Sequence, residues 1–95
     1  MKLRLPVILV LFFVLVLHAF ADFQKGFDAY QNKDYATALK KWKPLAEQGD
    51  AVAQFYLGLL HFNGQGVLED DVSAYMWWYI ASSQGSVLAK VNMDI

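Results

Sequence analysis

Residues 49–85, GDAVAQFYLGLLHFNGQGVLEDDVSAYMWWYIASSQG, decide the fold of this chain. In the first half, small and apolar residues recur at three- and four-residue steps, the spacing of one face of an α-helix. The glycines of Asn63–Gly66 then allow the chain to reverse, because glycine adopts positive φ at little steric cost. The acidic run Glu69–Asp71 favours the start of a second helix, which we expect to end at Gly85. The stretch predicts one helical hairpin.

The hairpin also has a characteristic order of glycine, alanine and aromatic positions. These positions are Leu57, Gly58, His61, Gly64, Gly66, Val67, Asp71, Ala74, Trp77, Ala81 and Gly85. Their order and spacing resemble the Sel-one-like repeat, a relative of the tetratricopeptide repeat. The resemblance implies a right-handed superhelix of paired helices that binds other proteins without catalysis. His61 departs from the family pattern, which favours tyrosine there.

Residues 22–48 predict a preceding hairpin. We expect a helix over Asp22–Gln31, a turn, and a second helix capped by Asp34 that reaches Gln48. Pro44 lies inside the second helix and predicts a kink near Lys43. This unit is similar to a tetratricopeptide hairpin in its small and aromatic positions, which are Gly26, Asp34, Tyr35, Ala38 and Trp42.

The two hairpins match each other as an internal repeat. Ala38, Trp42 and Gly49 correspond to Ala74, Trp78 and Gly85, each 36 residues further on. We expect the helices of each hairpin to touch backbone to backbone at the paired small residues, which are Gly26 with Ala38 and Gly58 with Ala74. We expect Trp42 and Trp78 to fill the space between hairpins, where large rings bury much apolar surface.

Residues 86–95 predict a C-terminal capping helix that begins at Ser86. Residues 22–95 then form a single all-α domain, a short α-solenoid of tetratricopeptide-like hairpins with about five helices. Repeat arrays usually need about three units to bury a continuous core. Three alternatives therefore stay open: the last helix completes the fold, the chain self-associates, or it is a truncated remnant.

The N-terminus reads as a targeting segment. A short positively charged start precedes the apolar run Leu5–Leu17, and Ala19 and Ala21 form a small-x-small processing site. We expect residues 1–21 to be a signal peptide that is cleaved after Ala21, giving a periplasmic or secreted protein without a membrane segment. The alternative is an uncleaved membrane anchor.

The charge balance argues against a nucleic-acid partner. The chain has a formal net charge of −1, and loss of Lys2 and Arg4 with the leader leaves −3. Nucleic-acid binders need a basic stripe that displaces counterions. The single basic cluster, at Lys40, Lys41 and Lys43, is typical of a solvated helix face.

The residue types also argue against an enzyme. The chain has no cysteine, so it has no thiol nucleophile, no thiolate zinc site and no disulfide. His61 is the only histidine after the leader, and we expect its ring to pack in the hairpin and to hydrogen-bond a turn carbonyl. The alternative, a metal site with Glu69–Asp71, has too few ordered ligands. We expect no catalytic residue, no cofactor and no metal.

Partner binding is the function that the resemblance implies. In such hairpins the first helix of each pair lines a concave groove, and the matching positions are Phe23, Phe27, Tyr30, Phe55, Leu59 and Phe62. These residues predict an aromatic strip suited to an extended or helical peptide. The alternative is that the rings pack on one another or on a dimer mate. We therefore expect a non-catalytic adaptor with an unknown protein or peptide partner, or alternatively a self-associating or remnant protein.

Overall fold

The computed structural model describes residues 6–94, which form five α-helices and no β-strand within that range. The helices are α1 (Val7–Gln31), α2 (Tyr35–Glu47), α3 (Ala51–Asn63), α4 (Asp71–Ser83) and α5 (Val87–Met93). Each helix packs against the next one along the chain, as in a solenoid. The prediction of an all-α array of helical hairpins is confirmed. The charged start of the leader and Ile95 lie outside the described residues.

Side-chain caps begin four of the helices. The carboxylate of Asp34 accepts a hydrogen bond from the Thr37 N–H at 3.2 Å, and the carboxylate of Asp70 accepts one from the Ser73 N–H at 3.1 Å. Asp50 and Ser86 cap α3 and α5 in the same way. Each cap satisfies a backbone donor that has no partner inside its helix. The predicted starts at Asp34, at the acidic run and at Ser86 are confirmed.

The loop between α3 and α4 depends on two glycines. Gly64 ends α3 in the left-handed region with φ 65°. Gly66 has φ 75°, and a Cβ atom there would lie 2.8 Å from the carbonyl oxygen of Tyr35. Only glycine allows this approach, so the longer turn of the second hairpin folds onto the first turn of α2.

The first helix is longer than the sequence predicts. It ends at Gln31 as expected, but it begins at Val7 rather than at Asp22. No glycine or proline separates the apolar run from the first hairpin, and alanine and leucine are strong helix formers, so the helix continues through the leader. The predicted cleavage point after Ala21 therefore lies within α1. The second helix likewise continues through Pro44 as one element.

A tryptophan and a glycine join the two helices of each hairpin. The indole Nε1–H of Trp42 donates to the Phe23 carbonyl at 3.1 Å, and that of Trp78 donates to the Phe55 carbonyl at 3.0 Å. The indole carbons lie against the glycine that follows the acceptor phenylalanine by three residues. A Cβ atom at Gly26 would lie 2.8 Å from Cδ1 of Trp42. A carbonyl oxygen inside a helix has two lone pairs, so it can accept the indole N–H in addition to its backbone hydrogen bond.

This arrangement refines two expectations from the sequence. Gly26 and Gly58 each make room for the indole ring of their own hairpin, whose atoms are the nearest to an added Cβ. The tryptophans are anchored within their hairpins, rather than only filling the space between them. The buried indole ring gives each helix pair apolar burial and a hydrogen bond between its two helices.

Two groups of buried side chains form the core, with α3 between them. The first group is Ala29, Ala38, Trp42, Leu45, Ala46, Ala53, Leu57 and Leu60, and the second is Ala74, Trp78, Ala81 and Ala89. Trp77 is half-buried and packs against the first group, whereas Phe55 and Leu59 pack against the second. These contacts join the two hairpins into one structure.

Candidate protein-interaction surface

The predicted strip residues on α1 are half-buried in the first core. The ring centroids of Phe23 and Tyr30 lie 5.8 and 5.6 Å from that of Trp42. Phe27 lies one turn from Phe23 and also packs against this core. Burial, with smaller contributions from Tyr35 and Tyr56, raises the pKa of the Tyr30 hydroxyl. This part of the strip therefore supports the fold and is only partly exposed.

Tyr56 is the centre of this aromatic cluster, and the sequence reasoning missed it. Its ring centroid lies 4.9 Å from Trp42, 5.7 Å from Phe23 and 5.9 Å from Phe27. It also lies 5.1 Å from its neighbour Phe55. Because consecutive residues point about 100° apart on a helix, Tyr56 faces the first hairpin while Phe55 faces the second. The signal was its position beside Leu57 and Leu60, on the side that turns toward α1.

The predicted strip residues on α3 belong to a different surface. Phe55 and Leu59 pack against the second core, and Phe62 is 39% exposed at the end of α3. Among the described residues, no ring–ring contact joins Phe62 to the aromatic cluster of α1. The predicted residues of α1 thus pack against the first core, whereas Phe55 and Leu59 pack against the second.

An open apolar pocket lies beside the second group. Its volume is about 310 Å³, and its lining residues are Leu59, Phe62, Asn63, Tyr75, Trp78 and Asn92. The rings of Phe62 and Tyr75 lie 5.4 and 5.6 Å from the ring of Trp78. Asn63 and Asn92 add carboxamide groups, which both donate and accept hydrogen bonds. An apolar pocket with a few polar groups is the usual form of a binding site.

A buried amide connects the ends of three helices. The side chain of Gln54 is 2% exposed. Its Nε2 donates to the Ala46 carbonyl at 3.1 Å, and its Oε1 accepts from Gln84 Nε2 at 2.9 Å. The sequence reasoning assigned no role to Gln54, although a glutamine between Ala53 and Phe55 on a buried face was a visible signal. It holds the end of α2, the middle of the core and the end of α4 in register.

His61 is half-buried, and its backbone holds the turn. Its carbonyl accepts from the Asp70 N–H at 2.8 Å, whereas its ring Nδ1 is buried with no hydrogen-bond partner among the described residues. The expected ring-to-carbonyl hydrogen bond is therefore wrong. Burial lowers the pKa of the imidazole, nearby Asp70 raises it, and Lys43 lowers it. Within residues 6–94 no group of three His, Asp or Glu side chains is placed to hold a metal ion.

The leader half of α1 is exposed and apolar. The helix passes the length and composition test that signal sequences and membrane spans share, with a mean hydropathy of 2.3 over the apolar window. Its large side chains from Val7 to Leu17, and Phe20, are exposed. Among leader residues 6–21, Ala19 is the one that packs against the first core. Beside it, Gln48 and Asp50 of the α2–α3 turn line surface pockets together with Leu15 and Val16.

Comparison with known proteins places the second hairpin in a family. The family model of the Sel1 repeat matches residues 51–86, from the first residue of α3 to the cap of α5. No curated protein and no solved structure matches the chain. The match covers both helices of the second hairpin, its glycine-containing loop and the indole contact between Gly58 and Trp78. Residues 51–86 are therefore similar to a Sel1 repeat, and the earlier hairpin has the same contact between a glycine and an indole ring.

Proposed function

We propose that this protein is an exported, non-catalytic interaction module that binds an apolar residue of a peptide or protein partner. Sel1 repeats suggest a protein-interaction role in general. The observation that carries the specific proposal is the open pocket between the end of α3, the first half and middle of α4, and the end of α5. The aromatic cluster of α1 contributes less, because its rings are already packed in the core.

The pocket chemistry suits an extended peptide. Phe62 and Trp78 provide ring faces for one apolar side chain, which is how interface anchors are usually held. The carboxamides of Asn63 and Asn92 are placed to pair with the N–H and C=O groups on either side of that residue. Of the six residues that the sequence predicts for a concave aromatic face, this proposal keeps Leu59 and Phe62 of α3, which line the pocket.

The test uses selected peptides and two matched substitutions. Peptides selected from a displayed random library on the immobilised protein should share an apolar anchor residue. Phe62→Ser should weaken their binding about tenfold or more while changing the melting temperature little, because Phe62 is 39% exposed. Phe27→Ser should instead lower the melting temperature, because Phe27 packs in the first core. Equal binding by wild type and Phe62→Ser would refute the pocket as the site.

The surroundings of the leader support its removal. A membrane span needs about 20 apolar residues in hydrocarbon. If Leu15 and Val16 lay in the bilayer, the neighbouring Gln48 and the carboxylate of Asp50 would enter it too. A charged side chain there costs about 2.5–3.5 kcal/mol or more. A removable signal peptide avoids this cost. A membrane anchor would instead require the turn that carries Gln48 and Asp50 to detach from the leader half of α1.

N-terminal sequencing of the protein isolated from producing cells tests this step. We expect a mature chain that begins at Asp22 and is found in the exported soluble fraction. A chain that retains Met1 and resists carbonate extraction from membranes would instead establish the anchored alternative.

A further inference from the structure

The outer face of α4 carries an exposed apolar stripe. Val72, Tyr75, Met76 and Tyr79 recur at the spacing of a single helix face, and they are 81%, 39%, 47% and 67% exposed. We call these four residues the α4 stripe. A solvated helix face normally carries charged side chains at such positions, so the α4 stripe is unusual for a surface.

The first hairpin shows that the fold does not require apolar residues there. The equivalent positions on α2, 36 residues earlier, are Ala36, Leu39, Lys40 and Lys43. Ala36, Lys40 and Lys43 are exposed even though a further hairpin packs against α2. Stacking of another repeat therefore leaves this face open, and the apolar residues of α4 are not explained by the solenoid itself.

The absence of charged residues around the α4 stripe favours an uncharged partner. From Val72 to Ala89 the sequence contains no Asp, Glu, Lys or Arg. A charged partner would lose hydration at this face without gaining an ion pair. An anionic lipid surface would find no cation, which interfacial helices normally supply. An equally uncharged apolar helix face meets neither penalty, and α4 of a second copy presents such a face.

We propose that two copies of this chain associate by packing their α4 stripes against each other, antiparallel across a twofold axis. Residues at this spacing interdigitate when two helices cross at a small angle. Antiparallel packing sets the helix dipoles in opposition and places the two Asp71 carboxylates at opposite ends of a helix pair about 20 Å long. A twofold contact uses the α4 stripe of both copies, so the contact closes as a dimer. The matching face of α2 carries Lys40 and Lys43 and therefore offers no second apolar stripe through which a filament could grow.

The size of the stripe predicts a weak dimer. Aromatic side chains bury roughly 150–250 Å² each when fully covered. With the observed exposures, the four residues offer on the order of 450 Å² per copy, which is below the roughly 800 Å² per partner of a standard interface. We therefore expect dissociation in the micromolar range. Tyr75 lines both the peptide pocket and the α4 stripe, whereas Val72, Met76 and Tyr79 do not line the pocket, so substitutions at Met76 and Tyr79 test association separately from peptide binding.

Sedimentation measures the association. The protein is purified in the form that cells produce and is studied from about 1 to about 300 µM. Wild type should shift from monomer to dimer across this range. Met76→Lys and Tyr79→Lys copy the lysines of α2 onto α4 and should each weaken association about tenfold or more, with an unchanged helical spectrum. Val52→Lys, at an exposed residue of α3 outside the stripe, is the control and should leave association unchanged.

Engineered cysteines test the antiparallel arrangement, since the natural chain has none. Met76→Cys lies near the centre of the stripe and should form a disulfide-linked dimer on mild oxidation. A mixture of Val72→Cys and Tyr79→Cys chains should link to each other, whereas Val72→Cys alone should not. A monomer at the highest concentration, insensitivity to Met76→Lys and Tyr79→Lys, an equal effect of Val52→Lys, or ready linking of Val72→Cys to itself would overturn the proposal.

Discussion

Gly58→Ala tests the reasoning about the hairpin most directly. A methyl group at this position would lie 2.5 Å from Cδ1 and 2.9 Å from Cε2 of the Trp78 ring. Both distances are far inside van der Waals contact, so the ring must move. The same movement lengthens the hydrogen bond from Trp78 Nε1 to the Phe55 carbonyl, which is 3.0 Å long in the native hairpin.

The expected magnitude is a balance of three effects. Replacing glycine by alanine inside a helix normally stabilises a protein by about 0.5–1 kcal/mol. Overpacking a fully buried site costs about 1–3 kcal/mol, and loss of one hydrogen bond costs about 0.5–1.5 kcal/mol. We therefore expect Gly58→Ala to lower the free energy of unfolding by about 1–3 kcal/mol. For a domain of this size, that lowers the melting temperature by roughly 5–20 °C.

Urea and thermal unfolding followed by circular dichroism measure this change. A double-mutant cycle supplies the control: in a Trp78→Phe background the ring is smaller and has no N–H, so Gly58→Ala should cost much less. Gly26→Ala should destabilise the first hairpin in the same way, through Trp42. An increase in stability on Gly58→Ala, as helix propensity alone predicts, would refute the argument that the indole occupies the glycine site.

Three further predictions concern polar groups. Gln54→Leu should lower the free energy of unfolding by about 1–3 kcal/mol, because it removes both hydrogen bonds of a buried amide; the Ala46 carbonyl keeps its bond from the Gly49 N–H. The same substitution at exposed Gln84 should cost less in urea unfolding. Asp50→Ala should cost about 1 kcal/mol through loss of the α3 cap, and Asp50→Asn should recover most of it. Burial holds the pKa of His61 below the unfolded value of 6.5, so the unfolded chain binds the proton more tightly than the folded chain does. The stability due to neutral His61 is therefore complete above about pH 6.5 and is lost as the pH falls below that value. Unfolding at pH 5 to 8 should show this slope in wild type and a smaller one in His61→Phe; an unchanged slope would assign it to other groups.

Much of the fold was predictable because it depends on local chemistry. The caps at Asp34, Asp70 and Ser86 contact backbone groups only three residues away, so short windows of sequence identify them. The small and aromatic repeat positions predicted the two hairpins because their spacing follows the period of the helix. The beginning of α1 was not predictable in this way, since the processing motif at Ala19 and Ala21 does not interrupt a helix.

The candidate site was only partly predictable. Phe62 was selected from the sequence and lines the pocket, but Tyr75, Asn63 and Asn92 were not selected. These residues come from three different helices, and their convergence depends on how the helices pack. Periodicity states which residues share one helix face, but it does not state which neighbouring helix that face meets.

The sequence by itself determined the all-α class, the two hairpins and the absence of thiol chemistry, because helix period, capping and residue type are local properties. Only the tertiary structure decided that Gly26 and Gly58 receive indole rings, since that contact joins residues on different helices. It likewise decided that Tyr56 turns to the first core while neighbouring Phe55 turns to the second. Such choices depend on which packing buries the most apolar surface while leaving each buried donor and acceptor paired, and that balance involves the whole chain.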